Sequence, residues 1–210
     1  PQGLINLMGG RENFTEKMDS IFTSKPTSDY SYYGFKIHEI LEMELAGMGQ
    51  YAHGNQPIQH AIYLYNYAQQ PWKTQEKVRY VMDNLYGEGA DGYCGDEDNG
   101  QTSAWFVFSS LGFYPVAPVT GQYILGSPLF REVEIDLNNG KTLRINAKNN
   151  SENNIFINSF KFNQSESNKN WVDHKDLRNG GVIDFEMSNT PNLDWGSAIN
   201  SVPFSMTKIK

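Results

Sequence analysis

The sequence has almost no cysteine and no long apolar run, and each shortage excludes a class of protein. Cys94 is the single cysteine among 210 residues, so an intramolecular disulfide and a thiol-based metal cluster are both excluded. No apolar run has the length that a helix needs to cross a bilayer, so no membrane span is expected. The compartment stays open at this point, because many periplasmic proteins also lack disulfides.

Positive charge is also scarce. The 17 Lys and Arg side chains are outnumbered by 24 Asp and Glu side chains, and the formal net charge is −7. Without a basic patch or arm, neither nucleic acid nor an anionic membrane is expected as a partner. A glycine-rich phosphate loop with its following Lys and a serine nucleophile elbow are missing too. Aromatic side chains are plentiful at 13%; they can line sugar-binding clefts but more commonly pack in cores.

Apolar side chains recur at helical spacing from the start of the chain to about Pro118. Spacings of three and four residues place such side chains on one face of an α-helix. We therefore predict helices around Phe14–Phe22, Ile37–Met48, Pro57–Ala68, Val78–Tyr86 and Ala104–Leu111. Periodicity alone leaves open whether these helices belong to a helical toroid or to an ordinary bundle.

Beyond Pro118 apolar and polar residues alternate, which is typical of half-buried strands in an antiparallel sheet. The alternation predicts strands at 133–137, 143–147 and 183–187, turns at Asn138–Gly140 and Asn179–Gly181, and a loop at Asn163–Asn170. The predicted fold class is therefore α+β, with a helical part over residues 1–117 and an antiparallel β region over residues 118–210.

The densest polar cluster is Asp96-Glu97-Asp98, which lies between glycines directly before a predicted helix. Asp98 or Asn99 is well placed to cap that helix, where free N–H groups and the dipole favour an ionised carboxylate. An ionised carboxylate is what a general base requires. The simpler interpretation is a solvated, capped helix start. An EF-hand is excluded, because Gln101 and Val107 stand where that loop needs Gly and Glu.

Two further clusters precede the acidic one. Carboxamides and histidines crowd Gly49–His60, and carboxamide oxygens suit calcium better than zinc. Taken singly, His53 and His60 are predicted to be hydrogen-bonded structural residues.

His38 and Glu39 lie at a helix start, from which a ligand could be reached, but a zinc-protease motif fails because Glu42 stands where it needs His. Cys94 beside the acidic cluster is predicted to have a raised pKa, so it is not expected to act as a nucleophile.

The same clusters carry a family resemblance. The segments GQYAHGNQPIQH (Gly49–His60), DGYCGDEDNGQTSAWFVFSSLG (Asp91–Gly112) and His38-Glu39 resemble glycoside hydrolase family 92, the calcium-dependent exo-α-mannosidases. Gly121–Phe130 and, less specifically, Gly3–Gly10 are similar to that family too. The likeness is specific to about Phe130 and looser afterwards.

The resemblance implies hydrolysis of terminal α-mannosides, with α-1,2 linkages favoured, and with inversion at the anomeric carbon. It implies the last part of an (α/α)6 toroid in residues 1–117, followed by an antiparallel β-sandwich-like region. Its site residues carry over as follows: Asp98 and Asp96 as candidates for the general base, with Asp98 preferred; His38, Glu39, His53 and Glu97 for the sugar; and Asn55, Gln56 and Asp98 for Ca²⁺.

One element of the family pattern lies outside the sequence. The family's general acid is a glutamate upstream of the Gly3–Gly10 segment, so the chain by itself is expected to be inactive. The expected partners are mannose-containing glycans and the missing N-terminal part of the same enzyme, in a periplasmic, secreted or cell-surface setting. The alternatives are another toroidal carbohydrate-active enzyme, such as a phosphorylase, and a non-catalytic sugar-binding module.

Overall fold

The helical spacing in the first half of the chain is realised as a series of short helices. The computed structural model describes residues 1–208, and each predicted helix is present, although those predicted to end at Met48, Tyr86 and Leu111 end one or two residues earlier and the one from Pro57 is mostly a 3-10 helix. The helices are α1 Gln2–Leu7, α2 Arg11–Thr23, α3 His38–Ala46, a 3-10 helix Gln56–Tyr63 that continues as α4 Leu64–Tyr67, α5 Pro71–Asn84 and α6 Gln101–Ser110. The longest of them, α5, starts at Pro71, a first-turn position that suits proline because no N–H is needed there.

The strands form two sheets. They are β1 Phe113–Ala117, β2 Gln122–Leu125, β3 Glu132–Asp136, β4 Thr142–Lys148, β5 Phe156–Phe162, β6 Ser165–Glu166, β7 Trp171–Asp173 and β8 Gly181–Ser188, with a short helix α7 at His174–Leu177. The order is β1-β2-β7 in the smaller sheet and β3-β4-β8-β5-β6 in the larger. All three strands predicted from alternation are present, as is the hairpin turn between β3 and β4.

Three features of the β region differ from expectation. The first strand, β1, already begins at Phe113, within the part predicted to be helical, and pairs with β2. β4 and β8 pair in parallel, with Ile145 opposite Ile183, so the larger sheet is mixed rather than antiparallel. A parallel pair needs a long crossover, which residues 149–180 provide. The segment Asn163–Asn170 is not only a loop, because Ser165 and Glu166 form the short strand β6 against β5.

Each half of the chain has its own apolar core. The helical core centres on large buried aromatics, among them Tyr51, Tyr63 and Trp105. The β core is lined by residues of the larger sheet such as Ile145, Ile183 and Phe185. Among residues 1–208, no helix combines the length and the apolar character that a membrane crossing requires.

Buried polar side chains join the two halves. The Arg79 guanidinium, 4% exposed, donates to the Pro128 carbonyl at 3.0 Å and to Asn150 Oδ1 at 2.9 Å. Asn66 and Asn170 exchange hydrogen bonds through their side-chain amides and backbone carbonyls. Buried donors and acceptors of this kind need fixed partners. The helices are therefore held on the β region at defined points.

Candidate functional site

The acidic loop, residues 91–100, ends in a run of left-handed backbone. Asp98, Asn99 and Gly100 have φ values of 45°, 57° and 92°. Asp98 and Asn99 therefore do not cap α6 as predicted; Gly100 holds the cap position without a side chain to offer. Glu97 takes over instead. Its carboxylate accepts from the Ser103 backbone N–H at 3.0 Å and from the Ser103 hydroxyl.

This capping distinguishes Glu97 from the other two carboxylates of the loop, those of Asp96 and Asp98. Glu97 is occupied at the helix start, where unpaired N–H groups attract negative charge. The Asp96 and Asp98 side chains are exposed and make no hydrogen bond to another described residue. Because Asp98 has a left-handed backbone, the loop is not extended there, and the alternation that would place side chains at i and i+2 on one side does not apply to Asp96 and Asp98. Both carboxylates remain open to a ligand or to water.

The carboxamide loop, residues 49–60, lies directly against the acidic loop. A Cβ added to Gly95 would lie 2.5 Å from Gly54 Cα, and one added to Gly54 would lie 2.6 Å from the Cys94 carbonyl oxygen. Only glycine permits two backbones to approach so closely. The two glycines therefore bring together the two sequence clusters that the resemblance singled out.

Thr102, at the start of α6, connects these loops through its hydroxyl. The side chain is fully buried, and Oγ1 donates to the Asp96 carbonyl at 2.8 Å. It accepts from Gln56 Nε2 at 3.2 Å and lies 3.4 Å from Gln59 Nε2. Gln56 Nε2 also donates to the Asp96 carbonyl. We call this set of four residues the Thr102 junction.

His53 lies behind the acidic loop, in the helical core. It is fully buried, with Nδ1 2.8 Å from the Tyr51 hydroxyl and Nε2 2.9 Å from the Tyr86 hydroxyl. The Tyr86 hydroxyl donates its one hydrogen to the Thr102 carbonyl, so Nε2 is the protonated nitrogen and Tyr51 donates to Nδ1. Burial lowers the pKa of His53 to about 3. The histidine is therefore neutral and hydrogen-bonded, as predicted from its isolation in the sequence.

His38 and Glu39 stand at the first turn of α3, beside the acidic loop. His38 is exposed, and its ring lies 3.1 Å from Glu42 Oε1 and 3.4 Å from Glu39 Oε1. The hydrogen bond to Glu42 raises the pKa of His38, and the charges of Glu39 and Asp96 act in the same direction. A Cβ added to Gly54 would lie 2.8 Å from Glu42 Oε2, so α3 with its third sequence cluster lies against the same pair of loops.

An open cleft of about 580 Å³ adjoins this surface. Its walls come from α3 and from the segment that runs from the end of α5 into the acidic loop, and they include Glu42, Leu45, Tyr86 and Asp96. Cys94 lines it as well, and burial raises the pKa of its thiol to about 11, with a smaller contribution from Glu42. The predicted direction is confirmed, although burial rather than the acidic cluster is the main cause.

The residues proposed for calcium offer oxygen donors. In residues 1–208, no three His, Cys, Asp or Glu side chains are grouped as a metal site would need. Asn55 and Asp98 are exposed, and Gln56 is tied through its amide nitrogen. That tie orients the carboxamide and leaves its oxygen without a hydrogen-bond partner among the described residues. Two carboxamides and a carboxylate fit a hard cation that completes its shell with water or sugar hydroxyls.

Sequence reasoning missed the buried and half-buried polar residues that hold the loops in place. Thr102, Gln59 and Tyr86 were counted as parts of helices. Their signal in the sequence is slight, because polar residues on a helix face read as solvent-facing until the packing is known. The close glycine pair, Gly54 and Gly95, offered a better signal, since each lies within a polar cluster and outside a helix.

Comparison with known proteins gives a consistent result. The family model for the glycosyl hydrolase family 92 catalytic domain matches residues 1–189. The structure of a family GH92 inverting mannosidase from Bacteroides thetaiotaomicron VPI-5482 superposes with a TM-score of 0.83 at 50% identity, covering 98% of this chain and 28% of that one. A second family GH92 alpha-mannosidase from Bacteroides thetaiotaomicron gives a TM-score of 0.87 at 34% identity, over 100% of this chain and 26% of that one.

A fungal relative extends the range. An uncharacterized secreted glycosidase of Arthroderma benhamiae is 27% identical over 206 residues, which is 97% of this chain and 23% of that protein. The chain thus spans about a quarter of the length of the relatives it matches.

Proposed function

Because this chain belongs to glycosyl hydrolase family 92, we propose that it supplies part of the active site of an exo-α-mannosidase. The observation that carries the proposal is the close contact of the carboxamide loop and the acidic loop through Gly54 and Gly95. Two exposed carboxylates, Asp96 and Asp98, stand on one side of that contact, and carboxamide oxygens stand on the other. A non-catalytic sugar-binding module gives no reason for such a pair.

In the proposed reaction Asp98 is the general base. One of its oxygens accepts a proton from a water molecule as that water attacks the anomeric carbon, while the bond to the leaving oxygen breaks on the opposite face. Configuration is therefore inverted. Asp96 is the second candidate for this role. The leaving oxygen receives its proton from a carboxylic acid that we propose lies in the remaining three quarters of a family-length protein.

Ca²⁺ is the proposed cofactor, near Asn55, Gln56 and Asp98. When bound, the ion supplies a positive centre for the hydroxyls of the terminal mannose. Asp98 belongs to both the base set and the metal set, so its two oxygens would be divided between water and cation. His38, exposed at the start of α3, and the half-buried Glu39 beside it are proposed to contact the sugar beyond the scissile bond and to favour α-1,2 linkages.

The other two predicted sugar residues have supporting positions. Glu97 is engaged with Ser103, and His53 is buried behind the loop, so we assign both to positioning rather than to direct contact in this chain. Residues 1–117 are proposed as the last part of an (α/α)6 toroid and residues 118–210 as the β region beside it. The secreted fungal relative supports a periplasmic, secreted or cell-surface location.

The test is mannose release by a protein that contains this chain and has the full length of its family relatives, which we call the family-length protein. We expect α-1,2-mannobiose to be the best substrate among the α-linked mannobioses, and β-mannose to appear first when the reaction is followed by NMR. A chelator should stop the reaction and added Ca²⁺ should restore it. The 210-residue chain alone should release nothing. No release by the family-length protein, or α-mannose as the first product, would remove the proposal.

A further inference from the structure

We propose that the Thr102 hydroxyl couples the two loops of the site, so that losing this one group disturbs metal binding and the general base together. The inference rests on the proposed function, because it takes Gln56 as a calcium ligand and Asp98 and Asp96 as the candidates for the general base. Thr102 itself is a positioning residue. It does not reach the surface and acts only through its partners.

The first step is the hydrogen-bond capacity of the hydroxyl. A threonine oxygen donates one hydrogen bond and accepts two. Here the donor goes to Asp96, at 2.8 Å, and both acceptor positions face carboxamide nitrogens, those of Gln56 and Gln59. The capacity is fully used, and the partners belong to two other segments of the chain, the acidic loop and the 3-10 helix that begins at Gln56. Because Thr102 is fully buried, water has no access to replace any of these contacts.

The second step is what the partners do. Asp96 is held by its carbonyl, not by its carboxylate, so the junction fixes the backbone of the acidic loop and leaves the charged oxygens free. Gln56 is held by its amide nitrogen, so the junction fixes the orientation of the carboxamide and leaves its oxygen without a hydrogen-bond partner among the described residues. One hydroxyl therefore orients a group on each loop. Substituting a residue that hydrogen-bonds to a metal ligand commonly lowers metal affinity or activity by about 10- to 100-fold.

The third step is the connection to the core. The Thr102 carbonyl accepts from Tyr86, which is hydrogen-bonded to the neutral His53. Gln59 donates to the His53 carbonyl at 3.2 Å. The junction is thus anchored in the helical core at two points, and both loops are held against the same group. Under this arrangement a change in one loop is transmitted to the other, and the coupling must be reciprocal for binding free energies.

The experiment uses three variants of the family-length protein. Thr102→Val keeps the shape and removes the hydroxyl, and Thr102→Ser keeps the hydroxyl and removes a methyl group. Thr74→Val is the matched control, because Thr74 is also fully buried and donates its hydroxyl to a backbone carbonyl, that of Ile62, at 3.0 Å. Each variant is compared for kcat at saturating Ca²⁺, for Ca²⁺ affinity by calorimetry and for thermal stability.

Thr102→Val should lower kcat roughly 10- to 100-fold and weaken Ca²⁺ binding about tenfold, as loss of a partner behind a metal ligand does. Thr102→Ser should restore both to within about threefold, and Thr74→Val should lose stability like Thr102→Val while keeping both values. Unchanged kcat and affinity in Thr102→Val, equal losses in Thr74→Val, or no rescue by Thr102→Ser would each overturn the proposal.

Hydrogen exchange keeps the two proposals apart. The backbone N–H groups of Thr102 and Ser103 both donate to Glu97 of the acidic loop, so their exchange reports on the loop without any turnover or metal. Faster exchange in Thr102→Val than in Thr74→Val supports the junction even if the parent protein releases no mannose. Equal exchange overturns the junction even if the parent is an active mannosidase.

Discussion

The helical half and the β region solve the same problem of buried polar groups by different means. In the larger sheet, the backbone ladders of β4 and β8 satisfy the peptide groups, and the inward side chains can be purely apolar. In the helical half, loops and helix starts come together with no ladder between them. Buried side chains such as His53, Gln59 and Thr102 make the connections instead.

The difference determines how strongly the geometry of each region depends on single side-chain contacts. A ladder fixes a strand through many equivalent hydrogen bonds, so the remaining bonds keep the strand in place when one is lost. A loop fixed by a few side chains depends on each of them, and its geometry can be tuned residue by residue. We therefore expect substitutions in the helical half to affect activity through single contacts, and substitutions in the β region to act through stability.

The largest effect is expected at Asp98. Asp98→Asn in the family-length protein should lower kcat by roughly 10²- to 10⁴-fold, the usual contribution of a general base. Asparagine is preferred to alanine because it tolerates the left-handed φ of 45° at this position. Asp136→Asn, an exposed carboxylate in β3, is the control and should leave kcat unchanged. Retained activity in Asp98→Asn would transfer the base role to Asp96.

A second large effect is expected where the two loops touch. Gly95→Ala would place a Cβ 2.5 Å from Gly54 Cα, so the loops must separate, and kcat should fall roughly 100-fold, as misplacement of about 1 Å can produce. Gly87→Ala is the matched control, because its Cβ would meet nothing closer than 3.9 Å. If the two variants have the same activity, the contact between the loops is irrelevant to the reaction.

The third prediction concerns the join between the halves. Arg79→Met removes the buried hydrogen bonds to Pro128 and Asn150 and should lower the free energy of unfolding by about 2–4 kcal/mol. Arg144→Met, which removes an exposed pair with Glu134, should change it by less than about 1 kcal/mol. Urea unfolding followed by fluorescence and circular dichroism measures both. Equal values would mean that Arg79 does not hold the helices on the β region.

The smallest effect emerges only on acidification. Since the pKa of His53 is lowered to about 3 by burial, the unfolded chain binds a proton below about pH 6.5 that the folded chain refuses. Stability from this group is complete above about pH 6.5 and is lost as the pH falls toward 3. His53→Gln should reduce the slope of the unfolding free energy against pH between about pH 4 and 6. The reduction corresponds to the uptake of up to about one proton on unfolding. An unchanged slope would contradict the neutral, buried state.

Much of the fold was accessible from the sequence because periodicity reports burial directly. The stripes from Phe14 and Val78 gave α2 and α5, and the alternation at Val133 and Ile183 gave β3 and β8. The parallel pairing of β4 with β8 was not accessible, since alternation fixes which side of a strand is buried but not the direction of its neighbour. The short strand β6 has too few residues to show a period.

The candidate site divides in the same way. The clusters around Asp96, Gln56 and His38 could be found because polar residues concentrate there in loops. The capping role of Glu97 could not, since it follows from the left-handed turn at Asp98 and Asn99, a conformation that few non-glycine residues adopt. The Thr102 junction depends on contacts across more than forty residues of chain, to Gln59 and Gln56.

The contact between Gln2 and Ser205 has a consequence for biosynthesis. The Gln2 backbone N–H donates to the Ser205 hydroxyl at 3.2 Å, so the first helix is fastened by residues that leave the ribosome some two hundred positions later. Contacts at such separation slow folding, because a large loop must close before they form. During translation α1 therefore lacks this partner until Ser205 has been made. A stop codon before Ser205 would leave α1 without this anchor.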